Sequence, residues 1–158
     1  MKGVCVMVGD VTGTIVFHQE KPTCPVHITG YLYNLPYGYH GFHIHEFGDT
    51  TNGCTSAGEH FNPFHKEHGG PHDEERHLGD LGNIYSIGGN ATRVDIVDNM
   101  ISLYGAYNIL GRSLVVHTMK DDYGKGENKS SKITGNAGGR LGCGVIGVKH
   151  EVKWRFNV

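Results

Sequence analysis

The sequence predicts an all-β domain, an eight-stranded antiparallel sandwich or barrel with two long functional loops. Its apolar residues occur in short segments that end at Gly, Asn, Asp or Pro, which is the pattern of strands and tight turns. The periodicity of an amphipathic helix is nearly absent. Glycine occurs 25 times in 158 residues, roughly double the average usage, which suits a fold with many turns. The length predicts one domain, residues 1–158.

Eight segments carry the strand pattern. The first is closed by Gly9-Asp10, and the second follows at hairpin distance. The third alternates, with Val26, Ile28 and Leu32 expected on the core side and His27 on the outer side. In chain order the predicted strands cover Met1 to Val8, Thr14 to His18, Pro25 to Tyr33, Tyr39 to Glu46, Asp80 to Ile87, Arg93 to Val97, Arg112 to His117, and Arg140 to Val148.

Two long segments, 47–79 and 118–139, lie between strands and lack any sustained period. Connections of that length in a compact domain are uncommon and are usually functional. The first contains five of the twelve histidines together with Cys54, so we expect a loop that is ordered by metal. The last nine residues, 150–158, form a tail in which Val152 and Trp154 begin an alternating apolar pattern. This pattern predicts a half-buried strand that packs on the barrel or at a dimer contact.

Charge and composition exclude several classes of protein. The formal net charge is −2, whereas nucleic-acid binders normally show a basic excess. No apolar segment reaches the ~20 residues that a membrane span needs. The N-terminal residues lack the apolar core of a signal peptide, so we expect a cytoplasmic protein. The four cysteines have no C-x-x-C spacing.

The histidines point to a metal site. His43 and His45 are two residues apart on a predicted strand, so both imidazoles project from one face. The first loop adds His60, His68 and His77, Asp80 follows that loop, and His117 ends a later strand. Three imidazoles and a carboxylate form a closed zinc set, whereas an all-imidazole set favours copper. The spacing alone does not say which histidine belongs to which set.

Four segments resemble the metal-binding motifs of the copper/zinc superoxide dismutase family, and the similarity extends from about Val4 to Val148. They are GFHIHEFGD (41–49), GCTSAGEHFNP (53–63), RHLGDLGN (76–83) and TGNAGGRLGCGVIG (134–147). The resemblance implies a Greek-key barrel whose copper ion cycles between Cu(II) and Cu(I) to convert superoxide into O₂ and hydrogen peroxide. A zinc ion would have a structural role.

The resemblance also assigns individual residues. Copper is expected on His43, His45, His60 and His117, and zinc on His60, His68, His77 and Asp80, with His60 bridging the two ions. Asp121 would link His43 to His68 from outside the ligand shell. Cys54 and Cys143 would form the disulfide, which leaves Cys5 and Cys24 free. His60 would pass a proton and Arg140 would attract the superoxide anion.

The family further implies a homodimer and loading by a copper chaperone. The matching interface positions are Val4, Val6, Gly48, Thr51, Leu110, Gly111, Val145 and Val148. The second loop departs from the family pattern, because the usual acidic pair is missing and Lys129 and Lys132 supply the nearest positive charges. The electrostatic field around Arg140 is therefore expected to differ in detail from that of the family.

Two other functions compete with dismutation. A non-catalytic copper/zinc protein or a copper-chaperone-like domain would have the same fold, but such domains tend to lose copper ligands or the arginine. A zinc hydrolase needs an open coordination position and a general base. The closed set of three histidines and one aspartate argues against it.

Overall fold

The computed structural model describes residues 1–151, and the expected packing of the tail at 152–158 lies outside these residues. Within residues 1–151 there are nine strands and one short helix. The strands are β1 (Lys2–Gly9), β2 (Thr12–His18), β3 (Val26–Tyr33), β4 (Gly38–His45), β5 (Thr51–Cys54), β6 (Asp80–Ser86), β7 (Thr92–Asp98), β8 (Ser113–His117) and β9 (Arg140–Val148); the helix α1 is Ser131–Thr134.

Eight of these strands form one antiparallel sheet in the order β6-β4-β8-β9-β1-β2-β3-β7. Strands distant in sequence are therefore neighbours, as in β4 beside β8 and β9 beside β1. The two edge strands approach each other, and Thr92 Oγ1 on β7 donates a 2.8 Å hydrogen bond to Ser86 Oγ on β6. The predicted all-β barrel is confirmed, and a side-chain contact joins its two edges.

The core fills the inside of this barrel through period-two alternation. Val26, Ile28 and Leu32 of β3 are fully buried, as predicted, while His27 faces outward. Cys5 on β1 is also buried in the core. Burial of such aliphatic side chains contributes about 1.5–3 kcal/mol each, which makes this core the main support of the fold.

The two long loops contain some regular structure that the sequence analysis missed. β5 and a single 3-10 turn at Thr55–Ala57 lie in the first loop, and α1 lies in the second. Each has only three or four residues, which is too short for a periodic hydrophobic signal. The other strand ends lie within two residues of their predicted positions.

A buried ion pair anchors the first loop to the barrel. Arg76 Nη1 donates a 2.8 Å hydrogen bond to Asp98 Oδ2 at the end of β7. The same guanidinium also donates to the backbone carbonyl oxygens of Pro71, His77 and Leu78. A buried charge is tolerated only when it is paired and hydrogen-bonded, and here both conditions hold.

None of the described helices is long and apolar enough to cross a membrane.

Candidate metal centre

Strands β4 and β8 supply three buried histidines on one wall of the barrel. His43 and His45 alternate with buried Phe42 and Ile44, so the imidazoles face away from the core toward the loops. β8 pairs with β4 in antiparallel register, and His117 ends β8 beside them. These three positions follow directly from strand periodicity.

The first loop is bonded back onto β4, and this brings His60 into the site. His60 forms an isolated bridge with His45. Phe61 N donates to Ile44 O at 2.8 Å, and Ile44 N donates to Gly79 O at 2.9 Å. The loop therefore adds a short ladder to β4, and His60 is fixed by backbone hydrogen bonds.

Two four-residue groups of potential ligands result, and His60 belongs to both. A third set, His43, His68 and Asp121, consists of the hydrogen-bonded residues that connect these two groups. Within each group the ligand atoms lie within 4.8 Å of one another, and every member is buried. The first group is His43, His45, His60 and His117; the second is His60, His68, His77 and Asp80. His60 Nδ1 lies 2.9 Å from Asp80 Oδ1 and 3.3 Å from His77 Nδ1. This leaves its Nε2 for the first group.

An irregularity in the pairing of β4 with β6 positions residues at the margin of the site. Between Gly41 and His43 of β4, the partner strand β6 uses three steps instead of two, with Gly82 at φ 87° in the extra length. This bulge ends at Asp80, the partner of His43. β-bulges redirect side chains at the rims of barrels. The positive φ explains the glycine at position 82.

Asp121 connects the two groups from behind. His43 Nε2 donates to Asp121 Oδ2 at 2.6 Å, and His68 Nε2 donates to Asp121 Oδ1 at 2.7 Å. Asn83 holds the Asp121 backbone from both sides: its amide nitrogen donates to Asp121 O, and its Oδ1 accepts from Asp121 N. The carboxylate fixes the orientation and tautomer of both imidazoles.

The directions of the ring nitrogens fit bound cations. Because Nε2–H of His43 and of His68 donates to Asp121, the Nδ1 atoms of the neutral rings carry lone pairs. Among the described residues the buried Nδ1 of His43 has no hydrogen-bond partner, and Nδ1 of His68 lies 3.0 Å from Asp80 Oδ2. His45 and His117 donate through Nδ1 to Gly58 O and Gly138 O, which leaves two Nε2 lone pairs facing each other at 3.2 Å. A cation between such converging lone pairs would satisfy them in a buried site.

The pKa values of the first group favour neutral imidazoles. Burial is the main cause that lowers the pKa of His43, His45 and His60. Burial also lowers the pKa of His117, to about 4. Neutral imidazole is the form that binds metal ions.

The carboxylates set the charge of the second group. Burial by itself would lower the pKa of His68, but hydrogen bonds to Asp121 and Asp80 outweigh it and raise the pKa to about 9. Burial would raise the pKa of Asp80, but hydrogen bonds from His60, His68 and His77 lower it well below its usual range. Asp80 is therefore ionised and can bind a cation.

Arg140 lies at the edge of the first group, held by the disulfide loop. Cys54 and Cys143 form the predicted disulfide. Arg140 Nη1 donates to Cys54 O and Nη2 donates to Gly58 O, both at 2.6 Å. Gly58 O also accepts the hydrogen bond of His45, so one carbonyl oxygen links Arg140 to a ligand of the first group.

Sequence comparison identifies the family of this site. Residues 11–146 match the profile of the family described as copper/zinc superoxide dismutase (SODC). The chain belongs to the copper/zinc superoxide dismutase family. It is 61% identical over 149 residues to a protein of Autographa californica nuclear polyhedrosis virus and 62% identical over 149 residues to one of Orgyia pseudotsugata multicapsid polyhedrosis virus. Each carries the name "Putative superoxide dismutase (Cu-Zn)". The match covers 94% of this chain in both cases and 99% and 98% of the two relatives.

As a member of this oxidoreductase family, the protein binds copper and zinc, in agreement with its two ligand groups. The structure brings together all the expected ligands, together with Asp121 and Arg140. The other loop histidines, His65 and His72, are exposed, and so are His18 and His27 on the strands.

Three site residues escaped the sequence analysis of this superoxide dismutase family member. His40 was not among the candidate residues, but it is buried, with Nδ1 2.8 Å from His117 O and Nε2 2.9 Å from Pro36 O. His40 lies on the same face of β4 as the buried Phe42 and Ile44, and this alternation could have predicted that its side chain points inward. The bracing of Asp121 by Asn83 could not be read from sequence. The role of Gly135 could not be read from sequence either, because it depends on the overlap that any Cβ there would make with Asp121 Oδ1 and His68 Nε2.

Proposed function

We propose that this chain catalyses the dismutation of two superoxide anions and two protons to O₂ and hydrogen peroxide. The observation that carries the proposal is the pair of buried ligand groups that share His60, with a cationic side chain beside the all-histidine group. We assign copper to His43, His45, His60 and His117, and zinc to His60, His68, His77 and Asp80. When bound, copper supplies one-electron redox chemistry, and zinc supplies charge and order.

The residues around the first group each have a separate task. Arg140 presents a fixed cation, which attracts a small anion and orients it through N–H donors. Its hydrogen bonds to Cys54 O and Gly58 O hold the guanidinium in place. His60 is placed to take up a proton at Nε2 and pass it to the product, since its Nδ1 faces Asp80 and His77. Asp121 keeps His43 and His68 in their ligand orientations.

The competing functions are less well supported. A non-catalytic or copper-chaperone-like domain would not need the complete all-histidine group, the shared His60 and Arg140 together. A zinc hydrolase would need an open zinc position, but the three imidazoles and one carboxylate of the second group would already fill the four positions that zinc prefers.

Variants that remove one ligand from each group test the assignment. We expect His117→Ala to lose copper and superoxide removal while keeping zinc, because His117 belongs only to the first group. We expect His77→Ala to weaken zinc binding and loosen the first loop while copper is still bound. Metal analysis and a superoxide-removal assay on the same samples give both readouts. His72→Ala, at an exposed histidine of the same loop, serves as the control.

Equal loss of both metals in the two ligand variants would contradict the division into a copper and a zinc group. One copper and one zinc per chain without superoxide removal would instead support a non-catalytic role. These two results separate the assignment of ligands from the assignment of activity.

The proposal includes a homodimer formed through the outer face of β1 and β9. All eight expected interface residues are at least partly exposed, and Val6 and Val148 are 60% and 69% exposed. A Cβ placed on Gly48 would lie 3.2 Å from Val145 Cγ1, so residues from the first loop continue the same surface. Exposed apolar patches of this kind favour association.

Replacement of Val145 by aspartate should give monomers in light scattering, because a carboxylate would be buried in the contact. Val97→Asp changes an equally apolar, exposed residue on β7, at the far end of the sheet order, and should leave the dimer intact. A dimer that persists in Val145→Asp would place the interface elsewhere.

We further propose that the protein works in the cytoplasm and receives copper from a chaperone protein. Cys5 and Cys24 are free thiols, which is typical of proteins in a reducing compartment. Cell fractionation tests the location. Copper content after expression with and without a copper chaperone tests the route of loading, and equal copper content would contradict that partner.

A further inference from the structure

Two exposed histidines face each other on the outside of the barrel, on strands that take no part in the metal centre. β2 and β3 pair in register from Thr12↔Tyr33 to His18↔His27, so the two histidines are the last pair of the ladder. Directly opposite residues in an antiparallel ladder have Cβ atoms about 4.5–5.5 Å apart and point to the same face. The pair therefore shares one patch of surface.

Burial of their neighbours fixes this outward direction. Phe17 and Gln19 flank His18 and are buried, and Val26 and Ile28 flank His27 and are buried. Both imidazoles are exposed, so their nitrogens are open to solvent. A flip of either strand would place core residues in water, which keeps the two rings on one side.

The loop that closes this hairpin is firmly attached on the inner side. The buried Gln19 Nε2 donates to Cys24 O at 2.8 Å, and Gln19 Oε1 accepts from Leu103 N at 2.7 Å. His18 and His27 are therefore held at a fixed backbone separation. Ligands on such a scaffold lose little backbone entropy when they close on an ion.

The electrostatic surroundings include a carboxylate. Lys2 on β1 is the partner of His18, and its ammonium lies 3.2 Å from the Glu151 carboxylate, which offsets that positive charge. The pKa of Glu151 is lowered mainly by its hydrogen bond to Lys2, with a smaller contribution from His18. On the other side, the partner of His27 is the apolar Val97.

From this geometry we infer that His18 and His27 form a surface chelate for a divalent transition-metal ion, with Cu²⁺ bound most tightly. Imidazole is a preferred ligand of Cu²⁺, Ni²⁺ and Zn²⁺, and Cu²⁺ leads the affinity order. Metal–nitrogen bonds of about 2.0–2.1 Å bring two ring nitrogens to about 3 Å from each other, which side-chain rotation across a direct cross-strand pair permits. Water completes the coordination. The site is separate from the buried centre and exchanges ions with solvent.

Titration of the copper- and zinc-loaded protein with Cu²⁺, in the presence of glycine as a competing chelator, tests the inference. We expect one additional Cu²⁺ per chain, with an electron paramagnetic resonance spectrum that differs from that of the buried copper and shows nitrogen coupling. His18→Gln and His27→Gln should each weaken this binding by at least about tenfold. The affinity of the double variant for the additional Cu²⁺ should be no lower than that of either single variant. A chelate requires both rings, so the losses are not additive.

The control is the double variant His65→Gln/His72→Gln, which removes two exposed loop histidines that are not a cross-strand pair. It should keep the additional Cu²⁺, and superoxide removal should be unchanged in every variant of this set. The inference is overturned if the wild-type protein binds no additional Cu²⁺. It is also overturned if the ion remains in the His18/His27 double variant, or if each single variant loses only half of what the double variant loses.

Discussion

Arg140 on β9 is the cross-strand partner of His117 on β8. The preceding pair is Val116 with Gly142, so β9 contains one extra residue, Leu141, between the two pairs. This bulge places the guanidinium beside the end of the first ligand group. Burial is the main cause that lowers the pKa of His117, and the positive charge of Arg140 contributes to the shift. The position of the Arg140 guanidinium, the charged group of β9 that faces the all-histidine group, is therefore set by the backbone register.

We predict that Arg140→Glu slows superoxide removal and flattens or reverses its fall with ionic strength. The net charge of −2 opposes an anionic substrate, so attraction has to come from local positive charge. Exposed charges are screened over about 8–10 Å near physiological salt, which makes the ionic-strength profile the informative measurement. Arg93→Glu on β7 is the matched control, because it makes the same change in net charge at an exposed site. If the wild-type rate does not vary with salt, steering by Arg140 is not part of the mechanism.

Asp121 is predicted to control zinc retention without being a ligand in either group. Asp121→Ala removes the acceptor of both His43 and His68, so both rings can rotate. We expect zinc affinity to fall by roughly 10- to 100-fold, as is typical when an outer-shell partner is lost. Competition with a chelator measures this affinity, and Asp95→Ala on the exposed surface is the control. Unchanged zinc retention in Asp121→Ala would remove this residue from the site.

Gly135 is predicted to be as necessary for zinc retention as Asp121. It follows α1 with φ 67°, and a Cβ at this position would overlap both Asp121 Oδ1 and His68 Nε2. Gly135→Ala should therefore break the His68–Asp121 hydrogen bond and release zinc. Gly105→Ala is a close control, since Gly105 has φ 81° and open space around its Cβ position. Both variants share the cost of a positive φ, so similar zinc retention in the two would refute the steric argument.

The two free cysteines are predicted to differ in reactivity. Burial raises the pKa of the Cys5 thiol to about 12, so the reactive thiolate is nearly absent at pH 8. Cys24 lies in a partly exposed hairpin loop. Alkylation of the folded protein at pH 8, read by mass spectrometry, should label Cys24 and spare Cys5, and denaturation should expose both. Rapid labelling of Cys5 in the folded protein would show that β1 opens readily.

Residues with a local signal could be predicted well from sequence. Alternation in β3 correctly placed Val26, Ile28 and Leu32 inside, because period two is a property of each strand by itself. The same rule placed His43 and His45 on one face. The disulfide between Cys54 and Cys143 and the linking role of Asp121 came from the family resemblance, since these residues are far apart in the chain. Short elements such as β5 were missed because four residues carry no period.

The sequence by itself determined the all-β strand pattern and a set of candidate ligands, because strand alternation and ligand chemistry depend on local residue order. The two metals and the division of the ligands between them came from the family resemblance. Tertiary structure alone decided how those ligands meet. The extra residues in β6 and β9 turn Asp80 and Arg140 toward the site. A bulge depends on the partner strand, so the sequence of one strand does not predict it. The inward position of His40, the bracing of Asp121 by Asn83 and the need for Gly135 likewise arise from contacts between distant segments. Such contacts exist only after the loops have closed onto β4, so they depend on the packing of the whole chain.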